Sequence, residues 1–190
     1  MTGTAEGVTA AVRLARRAFV AGERIDLNRL SAELGVDRTT LFRWVGNRDQ
    51  LIGTVLISLA DPTLRGVAER TGGCGPERVG RIMGEFSRAV IEAPYYRAFL
   101  RRETERALRL ITTRAGPVQR HVVEAVRELV RAELARSDRV PTMPLPDLAY
   151  LVTRIAESFI YTDLISGEDP DADKAEAAVT ALLRGASRPR

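Results

Sequence analysis

The sequence predicts an all-α protein in two parts. A helix-turn-helix headpiece occupies residues 1–47, and a larger helical regulatory domain occupies 48–190. Three observations carry this prediction. Apolar residues recur at helical spacing along most of the chain, as at Val8, Val12, Ala15 and Phe19. Pro76, Pro94, Pro117 and Pro146 stand where helices would begin. No stretch alternates strictly between apolar and polar residues, and no hairpin signal occurs.

The first helix is expected over 5–21, with Arg13, Arg16 and Arg17 largely outside its apolar stripe and Gly22 ending it. Two short helices follow, over 26–34 and 37–44. Asp26 and Asp37 are suited to N-cap them, because a carboxylate accepts the free N–H groups of a first turn. Leu34-Gly35-Val36 supplies a glycine able to close the first of them in the left-handed conformation. Asn47 then caps a helix starting near Arg48 that carries Leu51, Ile52, Val55, Leu56 and Leu59. Residues 48–60 of it form a connector, and Asp61-Pro62 is expected to break or kink it.

Thr71-Gly-Gly-Cys-Gly-Pro76 is a loop. Beyond it, helices are expected over 76–92, 95–101, 103–113, 117–137, 146–166 and 171–185, the last capped by Asp171. The helix over 146–166 is apolar on both sides, with Leu148, Val152, Ile155 and Phe159 on one and Tyr150, Ile160, Tyr161 and Leu164 on the other. A helix of that kind needs cover on both sides. The helix over 171–185 adds Ala175, Ala178, Val179, Leu182 and Leu183. Residues 146–185 are therefore expected to form a homodimer interface, a four-helix bundle between two chains.

Composition excludes several chemistries. Cys74 and His121 are single copies, too few for an internal disulfide or a closed zinc site. No phosphate-cradling glycine motif or nucleophile elbow occurs. The chain is accordingly expected not to be an enzyme, with no cofactor, no metal and no catalytic residues. The net charge is +4, and Lys174 is the one lysine among many arginines, a bias that fits a GC-rich genome. No signal peptide and no membrane-spanning run are expected, so a cytoplasmic location and no membrane partner follow.

Positive charge, hydroxyls and an aromatic side chain on the second short helix suit entry into the major groove of DNA. The residues expected to face bases or backbone there are Arg38, Thr39, Thr40, Arg43 and Trp44. Trp44 either packs against sugar-phosphate or braces the headpiece. Two further sets could line a small-molecule pocket or could be ordinary core. One is Phe86, Tyr95, Tyr96, Phe99, Glu105 and Arg109, and the other is Tyr150, Glu157 and Tyr161. Glu157, a carboxylate among apolar and phenolic groups, needs a partner such as Arg154 or a ligand.

Residues 8–59 resemble the DNA-binding domain of the TetR family of bacterial repressors. The likeness rests on Leu30-x-x-x-Leu34-Gly35-Val36, the run Thr40-Leu41-Phe42-Arg43-Trp44-Val45, then Asn47-Arg48 and Leu51. Arg154-Ile-Ala-Glu157-Ser158-Phe159 and the Leu41–Gly46 run look like an actinobacterial-type subgroup. The resemblance implies a homodimeric regulator, generally a repressor, that binds palindromic operator DNA and releases it when a small-molecule effector enters the larger domain. By position it assigns DNA contacts to Arg38, Thr39 and Arg43, places Asn28 and Arg29 near the groove edge, and makes Arg48 a phosphate anchor in place of a lysine. Two residues depart from the pattern. Phe42 replaces a tyrosine and so lacks a hydroxyl for phosphate, and Asp26 puts negative charge where a neutral cap is common. These departures sustain an alternative: a helical protein-interaction module or co-regulator whose headpiece does not bind DNA.

Overall fold

The computed structural model describes residues 2–190, which form eleven helices and one two-stranded antiparallel sheet. In chain order these are α1 (Thr2–Val20), α2 (Leu27–Leu34), α3 (Arg38–Val45), α4 (Arg48–Arg70), α5 (Gly75–Glu92), α6 (Pro94–Arg102), α7 (Thr104–Thr112), α8 (Val118–Arg136), β1 (Arg139–Pro141), α9 (Leu145–Ile160), α10 (Thr162–Ile165), α11 (Ala172–Gly185) and β2 (Ser187–Pro189). The all-α expectation holds, and most of the expected helices appear within a few residues of their predicted ends.

Three details differ. Pro62 lies inside α4 and does not end it. Proline removes one helical N–H, but Val55, Leu56 and Val67 are buried on either side of it, and that packing outweighs one lost bond. The helix expected over 146–166 divides into α9 and α10 at Tyr161, whose φ of −109° and ψ of 15° interrupt it. The third is the sheet: β1 pairs with β2 in the register Arg139↔Pro189, Val140↔Arg188 and Pro141↔Ser187.

Contacts divide the chain into two compact units that do not follow the sequence boundary at residue 47. The first comprises the chain up to Leu59 together with Pro94–Gln119. Its core holds Ala11, Ala15 and Phe19 of α1, Leu30 of α2, Leu41 of α3, and Leu51, Ile52 and Val55 of α4. The aromatic residues of α6 join it. Phe19 meets Tyr95 and Phe99 edge-on, with ring centroids 5.9 and 5.3 Å apart.

The second unit comprises Ala60–Ala93 and Arg120–Arg190. Its core is built by α5, α8, α9 and α11, with Val79, Met83, Val126, Val130, Leu148, Val152 and Val179 among its members. Helices α5 and α11 approach closely because Gly80 and Gly84 face α11. A Cβ on Gly80 would lie 1.9 Å from Thr180 Oγ1, and one on Gly84 would lie 2.7 Å from Glu176 Cβ. The small residues of α11 thus serve first to pack within the chain, with Ala172, Ala175, Val179 and Leu183 buried. Buried Glu133 accepts from Arg78 and Arg136, and Arg78 also donates to the carbonyls of Ala68 and Thr71, which ties down the end of α4.

Candidate nucleic-acid interface

Local hydrogen bonds define both ends of α2 and the start of α3. Asp26 accepts from the N–H groups of Asn28 (2.7 Å) and Arg29 (3.2 Å). These bonds, with that from Arg29 the stronger influence, hold its carboxyl below the usual range, so the cap stays charged at neutral pH. Gly35, at φ 65°, closes α2 in the left-handed region, and the N–H of Val36 then reaches the carbonyl of Ser31 at 3.1 Å. Asp37 opens α3 by accepting from the hydroxyl of Thr40 (2.7 Å) and from its N–H (2.8 Å), and these bonds lower its pKa. Asn47 and Gln50 cap the start of α4 reciprocally, each side chain accepting from the other's N–H at 2.8 and 2.9 Å.

The caps fix which face of α3 is free. Leu41 is fully buried, while Arg38, Thr39, Phe42 and Arg43 are exposed at positions that share one face. Neither Arg38 nor Arg43 has an ion-pair partner among the described residues; Arg43 donates to Thr40 Oγ1 at 3.2 Å. Phe42 is 55% exposed. Asn28 and Arg29 are also exposed, on α2. Arg29 is held by Glu23 (2.6 Å) and Glu33 (2.9 Å), solvent-facing pairs of the weak kind.

Three of the expected contact residues have structural work. Thr40 is committed to the Asp37 cap. Trp44 braces the headpiece: its ring lies over Gly7 of α1, where a Cβ would come within 2.5 Å of it. Arg48 points into the unit, donating to the Ile25 carbonyl and to both carboxylate oxygens of Glu103. Nothing in the sequence marks Glu103 as the partner of Arg48. It lies 55 residues from Arg48, and no local pattern links them.

The residues expected at a small-molecule pocket fall in different units. Tyr95, Tyr96, Phe99, Glu105 and Arg109 belong to the first. There Tyr95 and Phe99 pack on Phe19, Tyr96 is buried, and Arg109 donates to Asp49 at 2.6 Å. Glu105 lines an open groove of about 490 Å³ with Arg24, Arg102 and Arg106. Phe86, Tyr150, Glu157 and Tyr161 belong to the second unit. Phe86, Glu157 and Tyr161 are buried, whereas Tyr150 is 50% exposed. Burial raises the pKa of Glu157 to about 7, partly offset by Arg154, which donates to it at 2.6 Å.

Comparisons with known proteins agree with this geometry. Residues 74–184 match the family described as "Tetracyclin repressor-like, C-terminal domain". None of the curated proteins matches the chain. Among solved structures, the R. erythropolis transcriptional repressor QsdR, of the TetR family, is 28% identical with a TM-score of 0.87, covering 97% of each chain. The TetR family repressor AlkX from Dietzia sp. strain DQ12-45-1b is 22% identical, with a TM-score of 0.60 and 95% of each chain covered. NalD, the secondary repressor of the MexAB-OprM multidrug efflux pump in Pseudomonas aeruginosa, is 16% identical, with a TM-score of 0.52 and 99% coverage of both chains. With a family match over more than half its length and a capped helix-turn-helix ahead of it, the chain belongs to the TetR family of transcriptional regulators.

Proposed function

We propose that the protein is a cytoplasmic repressor that binds palindromic operator DNA as a homodimer and responds to a small-molecule effector. The observation that carries DNA binding is the face of α3. Arg38, Thr39, Phe42 and Arg43 stand exposed together on a helix whose other side is fixed by Leu41, Trp44 and the Asp37 cap. An arginine fork can donate to guanine, a threonine suits either a base edge or a thymine methyl, and an exposed phenyl ring suits apolar contact in the groove. Asn28 and Arg29 would flank the groove, with Arg29 exchanging its weak surface pairs for phosphate.

Two-fold pairing through α9 and α11 would present two copies of α3 to the two halves of a palindrome. Exposed Tyr150 and Ile165 are apolar surface that such pairing would cover. Buried Phe86, Glu157 and Tyr161 are the proposed effector contacts. A carboxyl poised near pH 7 favours an effector carrying a donor or a positive charge.

Selection of bound sequences from a random duplex pool, followed by sedimentation of the complex, tests the reading. A palindrome bound by two chains is expected. Failure to enrich any sequence, with an intact dimer, would instead identify a protein-interaction module.

A further inference from the structure

Arg48, in the first turn of α4, does not face solvent as a phosphate anchor would. Its side chain is 16% exposed and that of Glu103 is 12% exposed. Its Nε donates to the Ile25 carbonyl at 2.7 Å, and its two terminal nitrogens donate to the two carboxylate oxygens of Glu103, each at 2.6 Å. Both edges of the guanidinium are therefore engaged. A phosphate could take Arg48 only by displacing a carboxylate already bound in bidentate geometry, a contact of the same strong class.

Glu103 does not act alone. It stands at the N-cap of α7, and Arg106 and Arg109 follow at three-residue intervals, on nearly the same side of the helix. Arg109 donates to Asp49 at 2.6 Å, and Arg106 approaches Asp49 at 3.5 Å and Glu103 at 3.4 Å. Opposed charges on α7 thus grip the first turn of α4. Arg48 passes that grip to Ile25, the residue immediately before the Asp26 cap of α2. Ile25 is itself buried, so its carbonyl is a fixed point for the start of the helix-turn-helix.

We propose that Glu103 is a positioning residue for operator binding, holding Arg48 on the Ile25 carbonyl and so setting α2 and α3, and that Arg48 makes no phosphate contact. This rests on the DNA-binding reading. Arg38 and Arg43, exposed and without ion-pair partners among the described residues, are the contrasting case: they keep their charge available to DNA, whereas Arg48 has given its charge to the fold.

Glu103→Gln, Arg48→Gln and Arg48→Lys test it in the full-length chain. Two readouts are used: fluorescence anisotropy with the selected duplex across a KCl series, and hydrogen exchange of the 27–34 amides without DNA. Each variant should weaken binding roughly tenfold with the parent's salt slope, and each should lose protection in α2. Lysine should not substitute for arginine, since one nitrogen cannot span Glu103 and the Ile25 carbonyl as the fork does. A salt slope lowered by about one in Arg48→Gln, parental binding by Arg48→Lys, or tighter binding by Glu103→Gln would overturn the proposal and make Arg48 a phosphate anchor with Glu103 its competitor. The exchange readout needs no DNA. If the parent selects no duplex, the DNA-binding reading fails separately; lost α2 protection then still supports the positioning of α2 by Glu103 through Arg48, and unchanged protection overturns it.

Discussion

Helices α3 and α9 hold charge in opposite ways. On α3, Arg38 and Arg43 face solvent with no ion-pair partner among the described residues, so they cost the fold little and remain available to whatever docks. On α9, Glu157 is only 8% exposed, and burial raises its pKa to about 7 against the influence of Arg154. An exposed cation acts through counterions and phosphates, which makes it sensitive to salt. A buried carboxyl acts through its proton, which makes it sensitive to pH. DNA affinity should therefore follow ionic strength through α3, and stability should follow pH through α9.

The largest expected effect is on the α3 side. Arg38→Ala and Arg43→Ala should each weaken specific binding by roughly 1–3 kcal/mol if they read bases. The double variant should lose most discrimination between the selected and a scrambled duplex, with thermal stability unchanged because neither side chain is buried. Anisotropy titrations and melting curves on the same samples check both halves. Parental binding by the double variant would remove α3 as the reading helix.

On the α9 side the sign follows from the raised pKa. Below the ordinary glutamate value near 4.5 the carboxyl is protonated whether folded or unfolded, so the contribution of this one group to stability is fully present there. As pH rises through about 7, the unfolded chain is already ionised while the folded one resists ionisation, so stability falls. The loss should be on the order of a few kcal/mol between about pH 5 and about pH 8. Glu157→Gln should flatten that slope in denaturant titrations. If the parent and the variant share one slope, Glu157 is not the titrating group.

Packing sharpens the same contrast at a smaller scale. The free face of α3 has room, so Thr39→Ala should leave stability unchanged. Gly80 has none, since a Cβ there meets Thr180 and the Glu176 carbonyl. Gly80→Val should therefore cost roughly 1–3 kcal/mol, read as a lower denaturation midpoint. An unaltered midpoint would mean that α11 can move away from α5 freely.

What the sequence disclosed depended on range. The caps at Asp26, Asp37 and Asn47, and the left-handed turn at Gly35, join residues a few positions apart, so residue type alone located α2, α3 and the start of α4. The division of labour among the candidate contacts was not legible. Arg48 and Trp44 look like DNA contacts until Glu103 and Gly7 are brought beside them, and no local pattern announces either pairing. Strands β1 and β2 are three residues each and pair across α9–α11, so neither alternation nor a tight turn marks them. The aromatic residues of α6 suggested a pocket because a run of rings suits a core and a binding site equally. Their contacts with Phe19 decided the matter for Tyr95 and Phe99.

The smallest expected effect bears on the departure at Phe42. The ring is 55% exposed on the free face of α3, so a hydroxyl added at its edge would meet solvent rather than protein. Phe42→Tyr should therefore leave the melting temperature unchanged. On DNA, a phenolic hydroxyl could donate to a phosphate oxygen, a hydrogen bond to a charged acceptor with a net contribution of about 1.5 kcal/mol. Because no charge is added, no further counterion should be released, and the salt slope should stay at the parental value. Because phosphates carry no sequence information, selected and scrambled duplexes should gain alike. A gain confined to the selected duplex would place the ring against a base edge instead. A loss there would mean that the bare phenyl already makes an apolar contact, such as one with a thymine methyl, that a hydroxyl disturbs.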